Sequence, residues 1–477
     1  MWWCRQGAGM RKHLDNVANV DRIEIRQTTM AHGDVGFAGE WKRTSLREAG
    51  VSLIDCDHRT PSAVDSGYPY IAIPQVKQGR IDLSNVRYIS PTHFVEWTRK
   101  AKPRHHDVIL SRRCNPGETA YVPAGLECAL GQNLVLLRSD TTKVFPPFLR
   151  WLVRGPDWWE QVNTFINVGA IFDSLKCADI PNFKMPLPPL PEQKTIAHIL
   201  GTLDDKIELN RRMNATLEAM ARALFQSWFV DFDPVRAKLD GRQPAGLDAA
   251  TAALFPAHFQ DSEDGRLPVG WRYVAIEKLC AINSWTLGKG DDLDTLEYVE
   301  ISEVNRGNIA NIATYQRRDE PSRARRRLRH GDTVLSTVRP DRGSYFLALK
   351  PPENRVASTG FAVLTPTKAP WAFIHAALTQ ADFSEHLGQL ADGGAYPAVR
   401  PEIIGAWKVV VPDQMEILDA YQNICAPLFE QAEANRNQSR TLATLRDALL
   451  PKLISGELRI PYLSTGLQGI ITEQLIK

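Results

Sequence analysis

Three side chains in the first half of the chain have the types and the spacing of a metal-dependent nuclease. Asp179 precedes Glu192 and Lys194, and nucleases of this kind hold Mg²⁺ between two carboxylates while a lysine assists the attacking water. Glu192 and Lys194, however, fall at the start of a predicted helix beside a proline run and not on a central strand. A metal-dependent DNA endonuclease is therefore kept as the alternative function.

Other motifs each lack one part of the chemistry that they suggest. Phe145-Pro-Pro-Phe148 is similar to the Asn-Pro-Pro-Phe/Tyr loop of amino-methyltransferases, but a phenylalanine cannot accept a hydrogen bond from the amino group of a flipped base. Gly288-Lys289 lacks the upstream glycine of a phosphate-binding loop, and His105-His106 has no acidic or cysteine partner at ligand spacing. Seven cysteines without a CxxC pair indicate neither a disulfide framework nor a zinc site. We therefore expect the chain to bind no cofactor and no metal.

Clustered basic residues are the positive signal for function. They stand just before two matched Asp-x-x-Leu-Ser segments, which begin at Asp107 and Asp332, and again just after them. Lys and Arg neutralise phosphates, and an arginine can read a guanine edge. The net charge is only +2, so local clustering carries the prediction; the alternative is a solvated charge run. The DNA-binding candidates are Arg99, Lys100, Lys102, Arg104, Arg112, Arg113, Arg323, Arg325, Arg326, Arg327, Arg339 and Arg342.

The elements that must position these residues occur twice along the chain. Residues 70–81 align without a gap with residues 298–309, and four shorter matches accompany them in the same order. Each copy contains short β-branched and aromatic runs broken by Gly, Pro and Asn, which predict a β-rich unit. Each copy then ends in a long pattern of helical period. The predicted fold class is α+β, with two β-rich domains separated by two long helices.

Both helical patterns have a seam with 4-3 spacing that is apolar at its ends and polar in its middle. Aligning the polar centres satisfies both seams in either orientation. A parallel pairing would crowd the two β-rich units together, so we predict an antiparallel coiled coil, with a kink at Pro427. The predicted seam residues are Ile196, Leu200, Leu203, Ile207, Asn210, Asn214, Leu217 and Leu224 in the first helix, and Ile417, Tyr421, Ile424, Leu428, Asn435, Leu442, Leu445 and Leu449 in the second.

The pattern divides the chain into seven segments. No signal peptide and no run of about 18 apolar residues is found, and the cysteines suit reduced thiols, so we expect a cytoplasmic protein without membrane contact. The predicted segments are an N-terminal extension of unknown role (1–39), the first β-rich domain (40–190), the first helix (191–235), a linker (236–268), the second β-rich domain (269–411), the second helix (412–455) and a C-terminal tail (456–477).

Three segments resemble a known family. Pro188-Pro-Leu-Pro-Glu-Gln193, Leu203-Asp-Asp-Lys-Ile207 and Leu224-Phe-Gln-Ser-Trp-Phe-Val-Asp-Phe-Asp-Pro-Val235, together with the duplication, resemble the specificity (S) subunits of type I restriction-modification systems. The resemblance covers residues 39–460. It implies that the two β-rich domains are target-recognition domains, each reading one half of a split sequence in double-stranded DNA.

The resemblance also implies partners. Two modification (methyltransferase) subunits would dock on exposed apolar positions of the helices, with Trp228 and Phe229 among the large apolar groups, and restriction/translocase subunits would join later. S-adenosylmethionine, ATP and Mg would belong to those partners. The assembled complex would be an adenine methyltransferase and ATP-dependent endonuclease, with this chain non-catalytic. In the second copy, Val409-Val-Val-Pro-Asp-Gln414 replaces the Pro-Pro-Leu-Pro-Glu-Gln form, which argues against equivalent partner sites. A coiled-coil adaptor whose domains bind protein is a third hypothesis.

Overall fold

The computed structural model describes residues 41–459 except 170, 171, 264, 289, 393, 395 and 396. The predicted extension 1–39 and most of the predicted tail therefore lie outside the described residues. The chain divides into two compact units, residues 1–205 with 442–477 and residues 206–441. This division differs from the predicted order of separate domains and helices, because each long helix contributes one stretch to each unit.

A four-stranded antiparallel sheet forms the centre of the first unit. The strands of this unit, β1 to β11, are Lys42–Ser45, Val51–Asp55, Tyr68–Ile71, Val76–Lys77, Arg80–Ile81, Arg87–Ile89, Val108–Ser111, Thr119–Tyr121, Ala129–Leu130, Leu134–Ser139 and Lys184–Leu187. The central sheet has the order β2-β10-β7-β8, β3 lies between β6 and β9, and β4–β5 and β1–β11 are separate pairs. Successive residues of β7 and β10 are buried, because each sheet face has its own hydrophobic core.

The three short helices of the first unit, α1 to α3, are Pro91–Trp97, Pro146–Leu152 and Pro156–Phe165. Two of them, α2 and α3, cover one face of the central sheet, whereas α1 packs against β3, β6 and β9. Each helix begins with a proline, which needs no hydrogen-bond acceptor at the first helical position. Trp151 and Trp158 are fully buried in the same core as β7 and β10.

The second unit repeats the first. Its strands, β12 to β25, are Phe259–Ser262, Gly265–Pro268, Trp271–Ala275, Cys280–Ile282, Thr295–Val299, Val304–Asn305, Asn308–Ile309, Ala313–Gln316, Ala324–Arg327, Asp332–Ser336, Tyr345–Ala348, Arg355–Ser358, Phe361–Pro366 and Lys408–Pro412. The sheet β15-β24-β21-β22 has the strand order of β2-β10-β7-β8. The pairs β14–β25 and β17–β18 correspond to β1–β11 and β4–β5. The duplication in the sequence is therefore a duplication of the fold.

The first long helix, α4, is shorter than predicted. It spans Leu190–Phe225, continues as a π-helical segment over Gln226–Val230, and stops because Phe232 has the left-handed φ of 57°. The apolar pattern beyond this point belongs to the core of the second unit and not to a helix seam. The remaining helices, α5 to α10, are Asp233–Leu239, Ala249–Leu254, Trp371–Leu378, Ala381–Leu390, Pro401–Ala406 and Glu416–Ser455.

Two other predicted boundaries differ from the structure. The second long helix, α10, begins at Glu416 and not at residue 412, because residues 408–412 pair with β14 as β25. It continues through Pro427 as a single α-helix of 40 residues. The predicted linker contains α6 and the β12–β13 hairpin, and its Phe255 and Leu267 are buried in the core of the second unit.

Candidate nucleic-acid interface

The strands β7 and β21 are framed by the same two turns in both units. At the start of each strand an aspartate caps a turn: Asp107 accepts a hydrogen bond from the backbone N–H of Arg104 at 2.7 Å, and Asp332 accepts one from Arg329 at 2.6 Å. At the end of each strand a serine hydroxyl donates to a carbonyl two residues later, at 3.0 Å in β7 and 2.7 Å in β21. These side chains fix the loops that carry the predicted DNA-binding residues.

The two aspartates differ in their charge partners. Asp107 pairs with the Arg138 guanidinium, which donates to it at 2.6 and 2.8 Å. In the strand register, the residue that corresponds to Arg138 in the second unit is Thr365. Burial raises the pKa of Asp332 to about 6, against the smaller lowering effects of the Arg329 backbone and the Thr365 hydroxyl. The aspartate at the start of the strand is therefore ion-paired with Arg138 in the first unit, whereas Asp332 in the second unit has a threonine at the corresponding position.

The basic segment before β21 is largely occupied by its own unit. Arg327, 6% exposed, pairs with Asp291 at 2.8 Å and with Glu353 at 3.3 Å, and it stacks on Trp285. A buried guanidinium held by two carboxylates cannot also reach a phosphate. Arg327 is therefore removed from the DNA-binding candidates, because side chains of its own unit already hold it.

Its neighbours on β20 are also partly sequestered. Arg325 pairs with Glu320 at 2.7 Å. Arg326 is half-buried, and burial lowers the pKa of its guanidinium. Arg323, which precedes the strand, is exposed. Exposed, half-buried and buried arginines therefore follow one another along this segment, so the cluster is not one continuous basic surface.

The basic segment before β7 is more open. Arg99, Lys100 and Arg104 are exposed, while Lys102 lies 3.4 Å from Glu127. These residues form a loop between α1 and the strand. The first unit thus offers more unpaired positive charge before its central strand than the second unit does.

The loop after each strand is braced by a returning segment. In the first unit, Arg113 forms an isolated β-bridge with Ser174, and Arg112 donates to the carbonyl of Leu175 at 3.4 Å. Arg113 itself is exposed, with its guanidinium 5.2 Å from the ring centre of Phe172. This arrangement combines a cation and an aromatic ring from two loops on one surface.

The second unit repeats this bracing. Val338 forms a β-bridge with Ala398, and the backbone N–H of Arg339 donates to the carbonyl of Pro397 at 2.8 Å. Arg339 has the left-handed φ of 48° and caps a short 3₁₀ turn that ends with the exposed Arg342. We call residues 112–113 and 339–342, with their bracing segments, the post-strand loops.

The structure separates the candidates that precede each strand from those that follow it. β7 has four residues, so about 13 Å of extended chain lies between its two basic loops. Each unit therefore has two basic edges at opposite ends of its central strand.

The long helices pair antiparallel, as predicted. In the second unit Asn435 donates to Asn214 at 2.9 Å, and Asn210 donates to Gln438 at 2.9 Å. In the first unit Arg446 donates to Asp204 at 2.6 Å. Later residues of α10 thus contact earlier residues of α4. The polar centre of both seams forms a layer of amides whose hydrogen bonds cross between the helices.

Most of the predicted seam residues lie at the contact between the two helices, but one residue of the second helix does not. In α4, Ile196, Leu200, Leu203, Asn210 and Asn214 are buried, and Ile207, Leu217 and Leu224 are half-buried. In α10, Ile417, Tyr421, Asn435 and Leu442 are buried, Leu428, Leu445 and Leu449 are half-buried, and Ile424 is 43% exposed. The prediction for Ile424 is therefore wrong.

The correct phase of the second seam explains the error. Cys425, Ala432 and the half-buried Ser439 take the places assigned by the 4-3 pattern to residues 424, 431 and 438. Both assignments repeat every seven residues and share Tyr421 and Asn435, so periodicity alone cannot separate them.

Among the nuclease-like residues, Glu192 is already engaged by other side chains of its own unit. The carboxylate of Glu192 accepts hydrogen bonds from Trp41 at 2.9 Å and Arg459 at 2.7 Å. Lys194 is exposed on the same helix, and Asp179 precedes a 3₁₀ turn. Within the described residues, the one group of three with metal-ligand spacing is formed by Asp55, Cys56 and His58. In that group, burial raises the pKa of the Cys56 thiol to about 12, which opposes the thiolate that a metal requires.

The Pro-Glu-Gln motif instead fixes the start of α4. Gln193 is fully buried, accepts a hydrogen bond from the backbone N–H of Phe145, and donates to the carbonyls of Lys143 and Pro188. Phe145 caps α2, and Phe148 is fully buried in the core. The Phe-Pro-Pro-Phe sequence is therefore the start of a helix.

Exposed apolar side chains on α4 were missed because they lie off the seam. Leu209, Met213 and Met220 are 49%, 39% and 53% exposed, and their spacing of four and seven residues places them on one helix face. Trp228 and Phe229, which were expected to face a partner, are instead buried among aromatic residues of the second unit. In the described part of the chain, no helix combines the length and apolar character that crossing a membrane requires.

Comparison with known proteins agrees with this architecture. Residues 59–219 match the model of the type I restriction modification DNA specificity domain. The chain is therefore similar to the specificity subunits of type I restriction-modification systems. A member of this family, the type I restriction enzyme HindI specificity subunit of Haemophilus influenzae, is 24% identical over 73% of this chain and 86% of its own length.

Two further relatives extend the match. The type I restriction enzyme MjaIX specificity subunit of Methanocaldococcus jannaschii is 23% identical over 75% of this chain and 78% of its own length. The crystal structure of a type I restriction-modification S subunit from M. genitalium superposes with a TM-score of 0.51, at 15% identity, covering 91% of this chain and 99% of that chain. The structural match shows that this chain and that S subunit share a fold.

Proposed function

We propose that this chain is the DNA sequence-recognition subunit of a type I restriction-modification complex. It binds double-stranded DNA at a target made of two half-sites with a nonspecific gap, each unit reading one half-site. The observation that carries the proposal is the duplicated frame, in which Asp107 and Ser111 in one unit, and Asp332 and Ser336 in the other, hold basic loops at the same positions.

The post-strand loops are the better candidates for reading bases. Arg113 and Arg342 are exposed, whereas several arginines before β21 are held by carboxylates of their own unit. Each post-strand loop is also braced by a second loop of the same unit, and a rigid pair of loops positions a side chain against a base edge more accurately than one loop does. The cations before β7 then contribute phosphate contacts, which position the duplex.

Modification subunits would dock on the exposed apolar face of α4. Leu209, Met213 and Met220 present a stripe that a partner helix could cover. Restriction/translocase subunits would join this assembly, and S-adenosylmethionine, ATP and Mg would act in the partner subunits. The chain itself would then supply recognition and assembly without a catalytic site of its own.

Methylation mapping in cells that carry the intact system tests the proposal. The expected result is methylation at one split sequence, with two fixed half-sites and a gap of constant length. A contiguous target, or unchanged methylation in cells that lack this chain, would contradict it. Purified chain incubated with DNA and Mg²⁺ provides the second test, because metal-dependent nicking that is lost in Glu192→Ala would favour the endonuclease.

A further inference from the structure

In each unit, the β-rich part contacts the two long helices at two separate places. In the first unit, Ile196, Leu200, Leu453 and Ile454 belong to the same hydrophobic core as the central sheet. Farther along α4, Asp204 is 6% exposed and receives Arg80 from the β4–β5 hairpin at 3.0 Å. The apolar contact and the polar contact are about 12 Å apart along the helix, from Ile196 to Asp204.

The polar point of the first unit joins three elements. Arg446 of α10 donates to Asp204 at 2.6 Å, and Arg150 of α2 lies 3.7 Å from it. Arg80 also donates to the Asp204 backbone carbonyl at 3.3 Å. Opposing the effect of burial, these three guanidinium groups lower the pKa of Asp204. The hairpin tip, the helix pair and α2 therefore share one buried carboxylate.

The hairpin tip is shaped to approach closely. Gln78 and Gly79 both have positive φ, 49° and 80°, as in a type I′ turn. The N–H of Gly79 donates to the Thr119 carbonyl at 3.1 Å, which ties the tip to the central sheet. A Cβ atom on Gly79 would lie 2.6 Å from a guanidinium nitrogen of Arg154.

The second unit has the same two points in its own helix stretches. Phe225, Ile417 and Tyr421 belong to its hydrophobic core. The tip of the β17–β18 hairpin has positive φ at Arg306 and Gly307, 43° and 80°. A Cβ atom on Gly307 would lie 3.0 Å from Arg436 of α10 and 3.7 Å from Glu218 of α4. Arg436 and Glu218 form an ion pair between the helices.

This arrangement explains the strongest match in the duplicated sequence. Residues 70–81 and 298–309 end in these two hairpins. Both hairpins have a glycine as the second residue of the turn, although the charged residues next to that glycine differ between the units. Positive φ in a type I′ turn already favours glycine at this position, and the close approach of a guanidinium group adds a second reason for it in both units.

We propose that the two hairpins are positioning elements that set the tilt of each recognition domain on the helix pair and thereby determine which gap length is accepted. Hydrophobic contact is non-directional, so an apolar attachment alone permits the domain to rock. In the first unit a second, charge-assisted attachment farther along the helix removes that freedom. In the second unit the hairpin tip instead packs against an ion pair between the helices. Arg80, Gly307, Glu218 and Arg436 are positioning residues, and the inference rests on the proposed function.

The test uses the complex assembled with its own modification subunits. Methylation is measured on duplexes that carry the mapped target with its natural gap, or with the gap one base pair shorter or longer. Arg80→Ala should raise methylation at the wrong gaps relative to the natural gap by about tenfold, as expected for the loss of one charge-assisted hydrogen bond. Arg80→Lys, which keeps the charge, should recover most of the selectivity.

Matched controls separate positioning from general damage. Lys77 lies opposite Arg80 in the hairpin but pairs within it, with Asp82 at 2.6 Å, so Lys77→Ala should keep wild-type selectivity. Gly307→Ala should broaden the gap preference, whereas Gly246→Ala should not, because Gly246 has a φ of 75° with open space around it. The half-site sequences should not change in any variant.

The possible outcomes are distinguishable. A wild-type complex that methylates no split target refutes the proposed function, whatever the hairpins do. A wild-type complex with one preferred gap, and variants with the selectivity of their controls, overturns the positioning role. If Arg80→Ala does not assemble, then Gly307→Ala and Arg80→Lys decide. Loss of methylation at every gap with assembly intact also overturns it, since this would place the hairpins in DNA contact or in domain folding.

Discussion

Asp107 and Asp332 occupy the same position in the two copies but lie in different electrostatic surroundings. The sequence matched the two segments and therefore predicted equivalent positions for the basic residues beside them. It did not predict the different charge partners of the two aspartates, because the partner of Asp107 is Arg138 on a neighbouring strand, and that pairing depends on the strand register. Likewise, the burial of Arg327 depends on Asp291 and Glu353, which are distant in the sequence.

Replacing Asp332 with Asn should stabilise the second unit at neutral pH. The folded state holds the proton up to a pH of about 6, above the ordinary Asp pKa of 3.8. Its stability should therefore fall as pH rises from about 4 to 6 and then stay level. Because one pKa unit corresponds to about 1.4 kcal/mol, Asp332→Asn should recover up to about 3 kcal/mol at pH 7.5 and almost nothing at pH 4. Denaturant unfolding at both pH values measures the difference.

Asp107→Asn is the matched control for this measurement. It removes the ion pair with Arg138 and should destabilise the first unit at pH 7.5. If Asp332→Asn destabilised its unit to the same degree, the raised pKa of Asp332 would be contradicted.

At the scale of elements, the long helices were predicted most reliably because their period persists over many turns. The antiparallel pairing and its polar centre followed from the pattern and are confirmed by Asn210, Asn214 and Asn435. Two features did not follow. The phase at Ile424 depends on which of two equal seven-residue patterns faces α4, and the end of α4 depends on the left-handed turn at Phe232, which forms because aromatic residues enter the core.

The amide layer should be cooperative. Asn214→Ala removes the acceptor of the Asn435 amide, and leaving that buried donor unsatisfied should cost about 1–3 kcal/mol. Replacing both residues with Leu leaves neither amide unpaired. The loss of unfolding free energy in Asn214→Leu/Asn435→Leu should therefore be smaller than the sum of the losses in Asn214→Leu and Asn435→Leu. A double-mutant cycle from denaturant unfolding measures this coupling. Additive single changes would show that the two amides do not depend on each other.

The hairpin tip of the first unit can be tested for close contact independently of DNA. Gly79→Ala and Gly125→Ala place a Cβ at similar positive φ, 80° and 76°, but only Gly79 lies against another side chain. Both should lose about 1 kcal/mol from backbone strain, and Gly79→Ala should lose more because Arg154 must move. Equal losses of unfolding free energy would show that the tip tolerates a side chain.

At the scale of the whole chain, the duplication predicted the fold of the second unit from that of the first. The predicted linker was the exception, since its Gly, Pro and Ala content suggested a loop. α6 and the β12–β13 hairpin form there because Phe255 and Leu267 find a place in a core whose other members are distant in the sequence. The composition of a segment does not show which core residues elsewhere in the chain will bury its apolar side chains.

Duplication also predicts that DNA contacts can be removed one half-site at a time. Arg113 and Arg342 are exposed on the post-strand loops of different units. Within the assembled complex, Arg113→Ala should relax the half-site read by the first unit and leave the other unchanged, and Arg342→Ala should do the reverse. Each loss should cost about 1–3 kcal/mol at one base position if the arginine reads a base. If it contacts phosphate, affinity should instead fall evenly, and the slope of log K against log salt should decrease by about 0.9.

Binding titrations at several salt concentrations, with duplexes altered in one half-site at a time, distinguish the two roles. Lys408→Ala, at the exposed first residue of β25, provides a control outside both loops. If Arg113→Ala and Arg342→Ala both behaved like this control, the post-strand loops would not face the DNA, and the exposed cations before β7 would become the candidates for that contact.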